Sequence, residues 1–216
     1  MIISAVIFDL DGVVVSTDEY HYNAWKELAD CEHIEFCRED NALQKGVNRM
    51  ESLEVLLRKS AKRYTPEEKL ELCDRKNNYY LKSLDKLSPS DILPGAIPLV
   101  EELKKRKIPI AIGSSSRNAA LIIKKIGLCG VFDAMADGTM IRNSKPHPEV
   151  FTLAAKLLNK RASECVVIED AAAGIEAAIN AGMKAIGIGS ARNDRRAILS
   201  ALDLSFLSAD EIIKIF

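Results

Sequence analysis

The chain has 216 residues, of which 48% are hydrophobic and 28% are charged, a composition typical of one globular domain with or without an insert. The formal net charge is −1, because 30 lysines and arginines nearly balance 31 aspartates and glutamates, and this excludes the basic excess of a dedicated nucleic-acid binder. Apolar runs are far shorter than the ~18 residues of a membrane-spanning helix, and the N-terminal residues lack the pattern of a signal peptide.

Residues 2–8 form a short, β-rich run that is apolar nearly throughout. Such a run is typical of a strand buried on both faces in the middle of a parallel sheet. Residues 18–87 contain no comparable run and predict three or four helices. One of these helices is predicted to start at Thr65 for three reasons. Thr65 can cap the helix, Pro66 suits the first helical position, and Glu68 completes a capping box.

Further apolar runs in the second half predict strands at 108–112, 165–168 and 184–188. Helical patterns lie around and between them, at 97–105, 118–126, 149–158 and 174–181. Strands that alternate with helices predict a doubly wound α/β fold with a parallel, Rossmann-like sheet.

The helical stretch divides the chain into two predicted parts. We expect an α/β catalytic core made of residues 1–16 and 88–216, and a helical cap segment made of residues 17–87. Residues 15–17 and 88–91 predict the two linkers between them. Residues 44–49 predict a polar loop between two helices of the cap segment.

Polar residues follow the predicted strands, at the carboxyl edge where open parallel sheets bind ligands. They are Asp9, Asp11 and Gly12 after the first strand; Ser114, Ser115 and Ser116 after the second; Lys145 before the helix at 149; and Glu169 and Asp170 after the third.

This combination predicts a magnesium and phosphate site. Asp9, Glu169 and Asp170 offer the hard oxygen ligands that Mg²⁺ prefers. Ser114 and the backbone N–H groups that open the next helix can bind phosphate oxygens. Lys145 supplies a compact positive charge beside the crowded acids.

Two aspartates at this edge predict phosphoryl transfer. With Mg²⁺ offsetting the charge repulsion, Asp9 can attack phosphorus and form an aspartyl phosphate. Asp11 is close enough to protonate a leaving oxygen and then to deprotonate an incoming hydroxyl. Gly12 allows the tight turn that lets both acids face the site.

The order and spacing of these motifs resemble the haloacid dehalogenase superfamily along the whole chain. The resemblance implies a Mg²⁺ site of Asp9, Asp11, Glu169 and Asp170, with phosphate contacts from Ser114, Ser115 and Lys145. It also implies phosphoryl transfer, since the dehalogenases and phosphonatases of the superfamily lack an acid at the position of Asp11.

Within the superfamily, the loop 45–53 resembles the substrate loop of the β-phosphoglucomutases. The resemblance implies that Arg49, Ser116 and Asn118 bind a second phosphate, that His21 and Trp25 approach the sugar, and that Thr17 is a hinge. It further implies substrate contacts for Lys45, Gly46, Val47, Ser52, Lys76 and Arg117.

Some residues depart from that pattern or have a second interpretation. Asn48 replaces a small hydroxyl residue, Met50 stands where an acid is expected, and Arg117 stands where lysine is more common. Arg49 and Lys76 can also be interpreted as solvated surface charges. His21 and Trp25 are four residues apart and share a helix face, so they can also be interpreted as packing residues.

The favoured function is interconversion of β-D-glucose 1-phosphate and β-D-glucose 6-phosphate, through an aspartyl phosphate and a bisphosphorylated sugar. The alternative is a Mg²⁺-dependent phosphatase of the same superfamily that acts on a small sugar phosphate. A third hypothesis is an inactive phosphosugar-binding protein, which the intact set of acids disfavours.

The remaining expectations concern the environment of the protein. Five cysteines, odd in number and scattered, favour free thiols in a reducing compartment. We therefore expect a cytoplasmic protein. We also expect a monomer whose partner is a small phosphosugar, with no nucleic-acid or membrane partner.

Overall fold

The computed structural model describes residues 3–44 and 46–215. Within that part of the chain, one sheet contains six parallel strands in the order β3-β2-β1-β4-β5-β6. The strands are β1 (Ala5–Phe8), β2 (Ile110–Gly113), β3 (Ala134–Ala136), β4 (Cys165–Glu169), β5 (Lys184–Gly187) and β6 (Leu199–Ser200).

The central strand β1 is entirely buried, as the apolar run predicts. It pairs with β2 on one side and with β4 on the other, with Phe8 opposite Ile112 and Ile168. The carboxyl ends of β1, β2 and β4 therefore lie side by side, which confirms the predicted Rossmann-like architecture.

Some helices cover the sheet, and the first four form a separate group between β1 and β2 in the chain. They are α1 (Asp18–Cys31), α2 (Arg38–Ala42), α3 (Arg49–Leu57), α4 (Pro66–Ser83), α5 (Ala96–Lys105), α6 (Ala119–Lys125), α7 (Glu149–Leu157), α8 (Ala172–Asn180) and α9 (Ala209–Ile213). Two apolar clusters involve the sheet, and a third, which includes Trp25, Leu53 and Leu72, lies within the α1–α4 group.

Most predicted elements are present with ends that differ by one to three residues. The short strands β3 and β6 and the short helix α9 were not predicted, because three, two and five residues are too few to show a pattern. The prediction of a loop as far as residue 49 was wrong at its end, since Arg49 opens α3 and Asn48 caps it.

The two connections between the helical segment and the sheet run beside each other. Ser16 N donates to Asp91 O at 2.9 Å, and Leu93 N donates to Val14 O at 3.0 Å. Between these bonds, Val15 forms an antiparallel bridge with Ile92. The chain therefore leaves and re-enters the α/β part at one place.

Among the described residues, no helix has both the length and the apolar character needed to cross a membrane.

Candidate active site

Three buried carboxylates meet at the carboxyl end of the sheet. Asp9 follows β1 directly, Glu169 is the last residue of β4, and Asp170 comes next. Since β1 and β4 are neighbours, the pairing of these two strands brings the acids together. One oxygen from each carboxylate lies within 4.8 Å of the others. These donors are all hard oxygens, so the set fits Mg²⁺ with water and phosphate as further ligands.

Lys145 lies among these acids and is 1% exposed. Its Nζ donates to Asp9 Oδ1 at 2.5 Å and to Glu169 Oε1 at 2.6 Å. Burial alone would lower the pKa of Lys145, but the charges of Asp9 and Glu169 outweigh it and raise the pKa above its ordinary value. Burial raises the pKa of Asp9, and Lys145 opposes that rise. One cation cannot balance three ionised acids, so a divalent cation suits the charge of the site.

Asp11 lies two residues after Asp9 and lines the same cavity. Its Oδ1 accepts a hydrogen bond from the hydroxyl of Thr17, the residue before α1. Burial raises the pKa of Asp11, and the Thr17 hydrogen bond opposes the rise. Gly12 follows with φ of +84°, and a Cβ there would lie 2.4 Å from Asp170 Oδ2, so the turn requires glycine. A carboxyl group with a raised pKa is suited to donate and accept protons.

The serine loop after β2 is fixed by its own hydroxyl groups. The backbone N–H of Ser114 donates to Ala136 O at 3.0 Å, so its hydroxyl is the group left to contact phosphate. That hydroxyl accepts from Ser116 N at 3.1 Å, and the Ser116 hydroxyl accepts from Asn118 N at 3.2 Å. The loop thereby presents polar groups to the cavity at a defined place.

A second polar cluster lies between the cap segment and the core. Arg49, at the start of α3, donates from Nη2 to Asn77 Oδ1 at 2.7 Å. Asn118, just before α6, donates from Nδ2 to the same oxygen at 3.0 Å. Burial lowers the pKa of Arg49, and the charge of Arg117 lowers it further. The geometry thus brings Arg49 and Asn118 together, and Asn77 joins them.

Lys76 is buried rather than solvated, with 2% of its surface exposed. Its Nζ lies 2.9 Å from His21 Nδ1 and stands over the rings of Trp25 at 5.0 Å and Tyr80 at 4.5 Å. Burial, together with the charge of Arg49, lowers the pKa of Lys76 to about 7. Burial likewise lowers the pKa of His21 well below its ordinary value.

One cavity of about 430 Å³ connects these groups. Its wall contains most of the predicted site residues, namely Asp9, Asp11, His21, Trp25, Gly46, Val47, Arg49, Ser52, Lys76, Ser114, Ser115, Ser116, Arg117, Asn118, Lys145 and Asp170. Glu169 and Thr17 stand behind the wall, in contact with Lys145 and Asp11 respectively. Lys45, also predicted to bind substrate, lies outside the described residues.

Side-chain contacts join the cap segment to the core beside the cavity. Asn48 Nδ2 donates to Ser144 Oγ at 2.9 Å, and that hydroxyl donates to Glu51 Oε2 at 3.1 Å. Ser144 precedes Lys145 in the chain, so the contact lies next to the cluster of acids. Asn48 Oδ1 also accepts from Glu51 N at 2.9 Å and caps α3.

Several cavity residues, among them Asn77, Tyr80 and Ser144, are not among the predicted site residues. Tyr80 is four residues after Lys76, and this helical spacing was a signal that it shares the same face. Asn77 and Ser144 adjoin Lys76 and Lys145, but adjacency in a chain does not show which side chains point the same way.

Comparisons with known proteins agree with this arrangement. Residues 3–182 match the sequence profile of the haloacid dehalogenase-like hydrolases. The chain is 45% identical over 187 residues to β-phosphoglucomutase of Bacillus subtilis, covering 86% of this chain and 83% of that protein. It is 29% identical over an alignment of 219 positions to the phosphorylated carbohydrates phosphatase of Thermotoga maritima, covering 98% of this chain and 97% of that protein. The crystal structure of β-phosphoglucomutase from Clostridium difficile matches with a TM-score of 0.92 and 39% identity, covering 99% of this chain and 96% of that one.

Proposed function

The chain belongs to the haloacid dehalogenase-like hydrolase family, and on this premise we propose that it interconverts β-D-glucose 1-phosphate and β-D-glucose 6-phosphate. The observation that carries the proposal is one cavity with two polar clusters, one at Asp9 and one at Arg49. A mutase needs both, because it must hold one phosphate while the other reacts. The relatives named β-phosphoglucomutase support this choice of reaction.

In the proposed first step, a carboxylate oxygen of Asp9 attacks the phosphorus of a bisphosphorylated sugar. The bond between phosphorus and the sugar oxygen breaks, and the proton of Asp11 goes to that oxygen. In the second step a hydroxyl of a sugar monophosphate attacks the aspartyl phosphate, Asp11 takes the proton of that hydroxyl, and the bond between phosphorus and the Asp9 oxygen breaks. The bisphosphorylated sugar formed in this way turns end for end, so that its other phosphate reacts with Asp9 in the next cycle. Lys145 orients the Asp9 carboxylate through the contact at 2.5 Å and opposes the rise in the pKa of Asp9 that burial causes.

Asp9, Glu169 and Asp170 would hold Mg²⁺, which when bound would supply positive charge that offsets the repulsion between the phosphate and the carboxylates. The hydroxyl of Ser114 and the ammonium of Lys145 contribute hydrogen bonds to the oxygens of the phosphate that is transferred. The second phosphate binds Arg49, Ser116 and Asn118. An arginine suits this position because its guanidinium offers several donors in a fixed geometry and a permanent charge.

The cap segment determines which acceptor takes the phosphate. With Asn48 in contact with Ser144, the segment closes over the carboxyl end of the sheet beside Lys145. Closure of this kind excludes water, so that a sugar hydroxyl rather than water attacks the aspartyl phosphate. A phosphatase of the same family would admit water at this step.

Arg49→Ala tests the mutase against the phosphatase. The change removes charge-assisted hydrogen bonds of ~1.5–3 kcal/mol each, so isomerisation should fall by about 10²-fold. Hydrolysis of acetyl phosphate, which carries one phosphate and does not reach Arg49, should fall much less. The matched control is Arg58→Ala, because Arg58 is an exposed arginine at the end of the same helix.

Product analysis with β-glucose 1-phosphate, Mg²⁺ and a trace of the bisphosphate measures isomerisation directly. Formation of glucose 6-phosphate by the wild type, lost in Arg49→Ala and kept in Arg58→Ala, supports the mutase. Release of glucose and inorganic phosphate as the main products would show a phosphatase instead. Unchanged isomerisation in Arg49→Ala would remove the second phosphate site from the proposal.

We also propose that the protein acts as a monomer in the cytoplasm. All five cysteines are free thiols, which suits a reducing compartment. Sedimentation of the purified protein at several concentrations measures the oligomeric state, and a mass of twice 23.8 kDa would contradict a monomer.

A further inference from the structure

The carbonyl oxygen of Asn77 is shared by two donors from different parts of the chain. It accepts from Arg49 Nη2 at 2.7 Å and from Asn118 Nδ2 at 3.0 Å. Arg49 and Asn77 belong to the cap segment, whereas Asn118 precedes α6 in the core. Because both neighbours are donors, the amide of Asn77 presents its oxygen to them. This one atom therefore sets the separation between Arg49 and Asn118.

The two donors keep hydrogens that Asn77 does not use. A guanidinium has five N–H groups and an amide NH₂ has two, so each donor can bind Asn77 and a phosphate oxygen at the same time. All three side chains line the cavity. A phosphate between Arg49 and Asn118 thus finds both donors already ordered, and less conformational entropy is lost on binding.

The neutral charge of Asn77 matters as much as its geometry. Among the described residues, the hydrogen-bond partner of the Arg49 guanidinium is this amide and not a carboxylate. A carboxylate at residue 77 would form an ion pair with Arg49 and compete with phosphate for it. An amide orients the guanidinium without cancelling its charge.

We propose that Asn77 is a positioning residue for the second phosphate, which holds Arg49 and Asn118 at the spacing that phosphate needs while leaving the site positively charged. The inference rests on the proposed function, since it deepens the assignment of that site. Asn77 acts through Arg49 and Asn118, so Asn77 itself need not touch the substrate.

The test compares Asn77→Ala and Asn77→Asp with the same changes at Asn78, an exposed neighbour on the same helix. For Asn77→Ala, we expect the dissociation constant of glucose 6-phosphate and the KM for β-glucose 1-phosphate to rise about fivefold, since one hydrogen bond to each donor is lost. For Asn77→Asp we expect a rise of about 100-fold. Both Asn78 variants should match the wild type.

The order of the two variants separates positioning from a merely structural role. Aspartate has nearly the shape of asparagine, so a structural role predicts that Asn77→Asp is the milder change. A positioning role in a phosphate site predicts that it is the more severe one. The rise should appear mainly in KM and in the dissociation constant rather than in kcat, because Asn77 contacts the donors of the second phosphate and not Asp9.

Calorimetric binding of glucose 6-phosphate is measured alongside turnover, which keeps this inference separate from the mutase proposal. If the wild type hydrolyses sugar phosphates without isomerising them, the mutase proposal fails, yet the order of dissociation constants still tests Asn77. Tighter or equal binding by Asn77→Ala, or binding by Asn77→Asp as tight as by Asn77→Ala, would overturn the inference while isomerisation by the wild type stands.

Discussion

Lys145 and Lys76 are both buried lysines, and their surroundings shift their pKa values in opposite directions. Burial lowers both values, but Asp9 and Glu169 outweigh burial at Lys145 and raise its pKa. Lys76 faces a histidine and two aromatic rings, and its pKa falls to about 7. One lysine is thus a permanent cation beside Asp9, and the other is able to change charge near neutral pH.

Lys76→Met should flatten the dependence of the free energy of unfolding on pH. Between pH 7 and the ordinary lysine pKa, the unfolded chain keeps a proton on Lys76 that the folded protein has lost, so the stability of the wild type rises with pH. The variant should lack this rise. Urea unfolding at pH 7, 8 and 9 measures it, with Lys82→Met, an exposed change on the same helix, as the control. Parallel curves for the wild type and Lys76→Met would contradict the lowered pKa.

Asp9→Asn should abolish both isomerisation and phosphorylation of the enzyme by acetyl phosphate, because an amide does not attack phosphorus. The fold should remain intact, since Lys145 keeps its bond to Glu169. Turnover and mass spectrometry of the intact protein measure the two effects. Asp85→Asn is the control, because it makes the same chemical change at a side chain that is 78% exposed. Phosphorylation of purified Asp9→Asn would exclude Asp9 as the nucleophile.

At the level of the element, strand ends position the residues of the proposed transfer site, and helix starts position those of the proposed second phosphate site. Asp9, Glu169 and Asp170 come together because β1 and β4 pair. Arg49 opens α3, where Asn48 and Glu51 form a capping box. Gly174 of helix α8 lies against Glu169, and because glycine has no side chain it leaves room for the Glu169 carboxylate.

Gly174→Ala should weaken the acidic cluster although alanine favours a helix over glycine by ~1 kcal/mol. The new Cβ would lie 1.8 Å from Glu169 Oε1, so the carboxylate that binds Lys145 must move. We expect the Mg²⁺ concentration for half-maximal activity to rise about tenfold or more. A Mg²⁺ titration of activity measures this, and Ile179→Ala, an exposed change on α8, should leave it unchanged. Equal titrations for Gly174→Ala and the wild type would show that Glu169 has room to shift.

Much of this arrangement could be predicted at the element level, for physical reasons that differ between parts of the chain. Buried strands are apolar runs ended by polar residues, so the residues after β1, β2 and β4 could be identified. The start of α4 at Thr65 was predicted from its capping box. The same signal at Asn48 and Glu51 was present but was interpreted as loop.

Tertiary contacts account for what could not be predicted. Lys76 adjoins charged residues in the sequence, yet it is buried against residues of another helix, which local sequence does not show. The contacts of Asn77 with Asn118 and of Asn48 with Ser144 join residues 41 and 96 positions apart. Such contacts depend on how the cap segment sits on the core.

At the level of the whole molecule, the contacts that join the cap segment to the core include side chains beside the cavity. Asn48 both caps α3 and reaches Ser144, so one residue links the local helix start to the closed arrangement. Asn77 and Asn118 provide a contact at the proposed second phosphate site. Ala24 of α1 and Tyr80 of α4 also belong to the apolar cluster that includes residues of β1, so the contact between the two parts is apolar as well as polar.

Asn48→Ser should loosen closure without loss of the helix cap. Serine caps a helix about as well as asparagine, but it is too short to reach Ser144 while doing so. We expect hydrolysis of the aspartyl phosphate by water to rise about three- to tenfold, with little change in melting temperature. Decay of the phosphorylated enzyme in the absence of sugar measures this rate.

The matched control for Asn48→Ser is Thr65→Ser, which also places serine at the capping position of a cap-segment helix, α4. Thr65 caps α4 through the same kind of capping box, and its side chain bonds within the cap segment. Thr65→Ser should leave the decay rate of the phosphorylated enzyme at the wild-type value. Equal decay in Asn48→Ser and the wild type would show that the contact with Ser144 does not limit access of water.

The paired connections at Val14–Ser16 and Asp91–Leu93 have a consequence for how such enzymes diversify. Because the chain leaves and re-enters the sheet at one place, the codons between these connections can be lengthened, shortened or exchanged without any change in strand order. A recombination event there would replace the cap segment, for which we propose sugar recognition, and keep the acids for which we propose phosphoryl transfer. Selection can therefore act on substrate range and on reaction chemistry as two separately heritable traits.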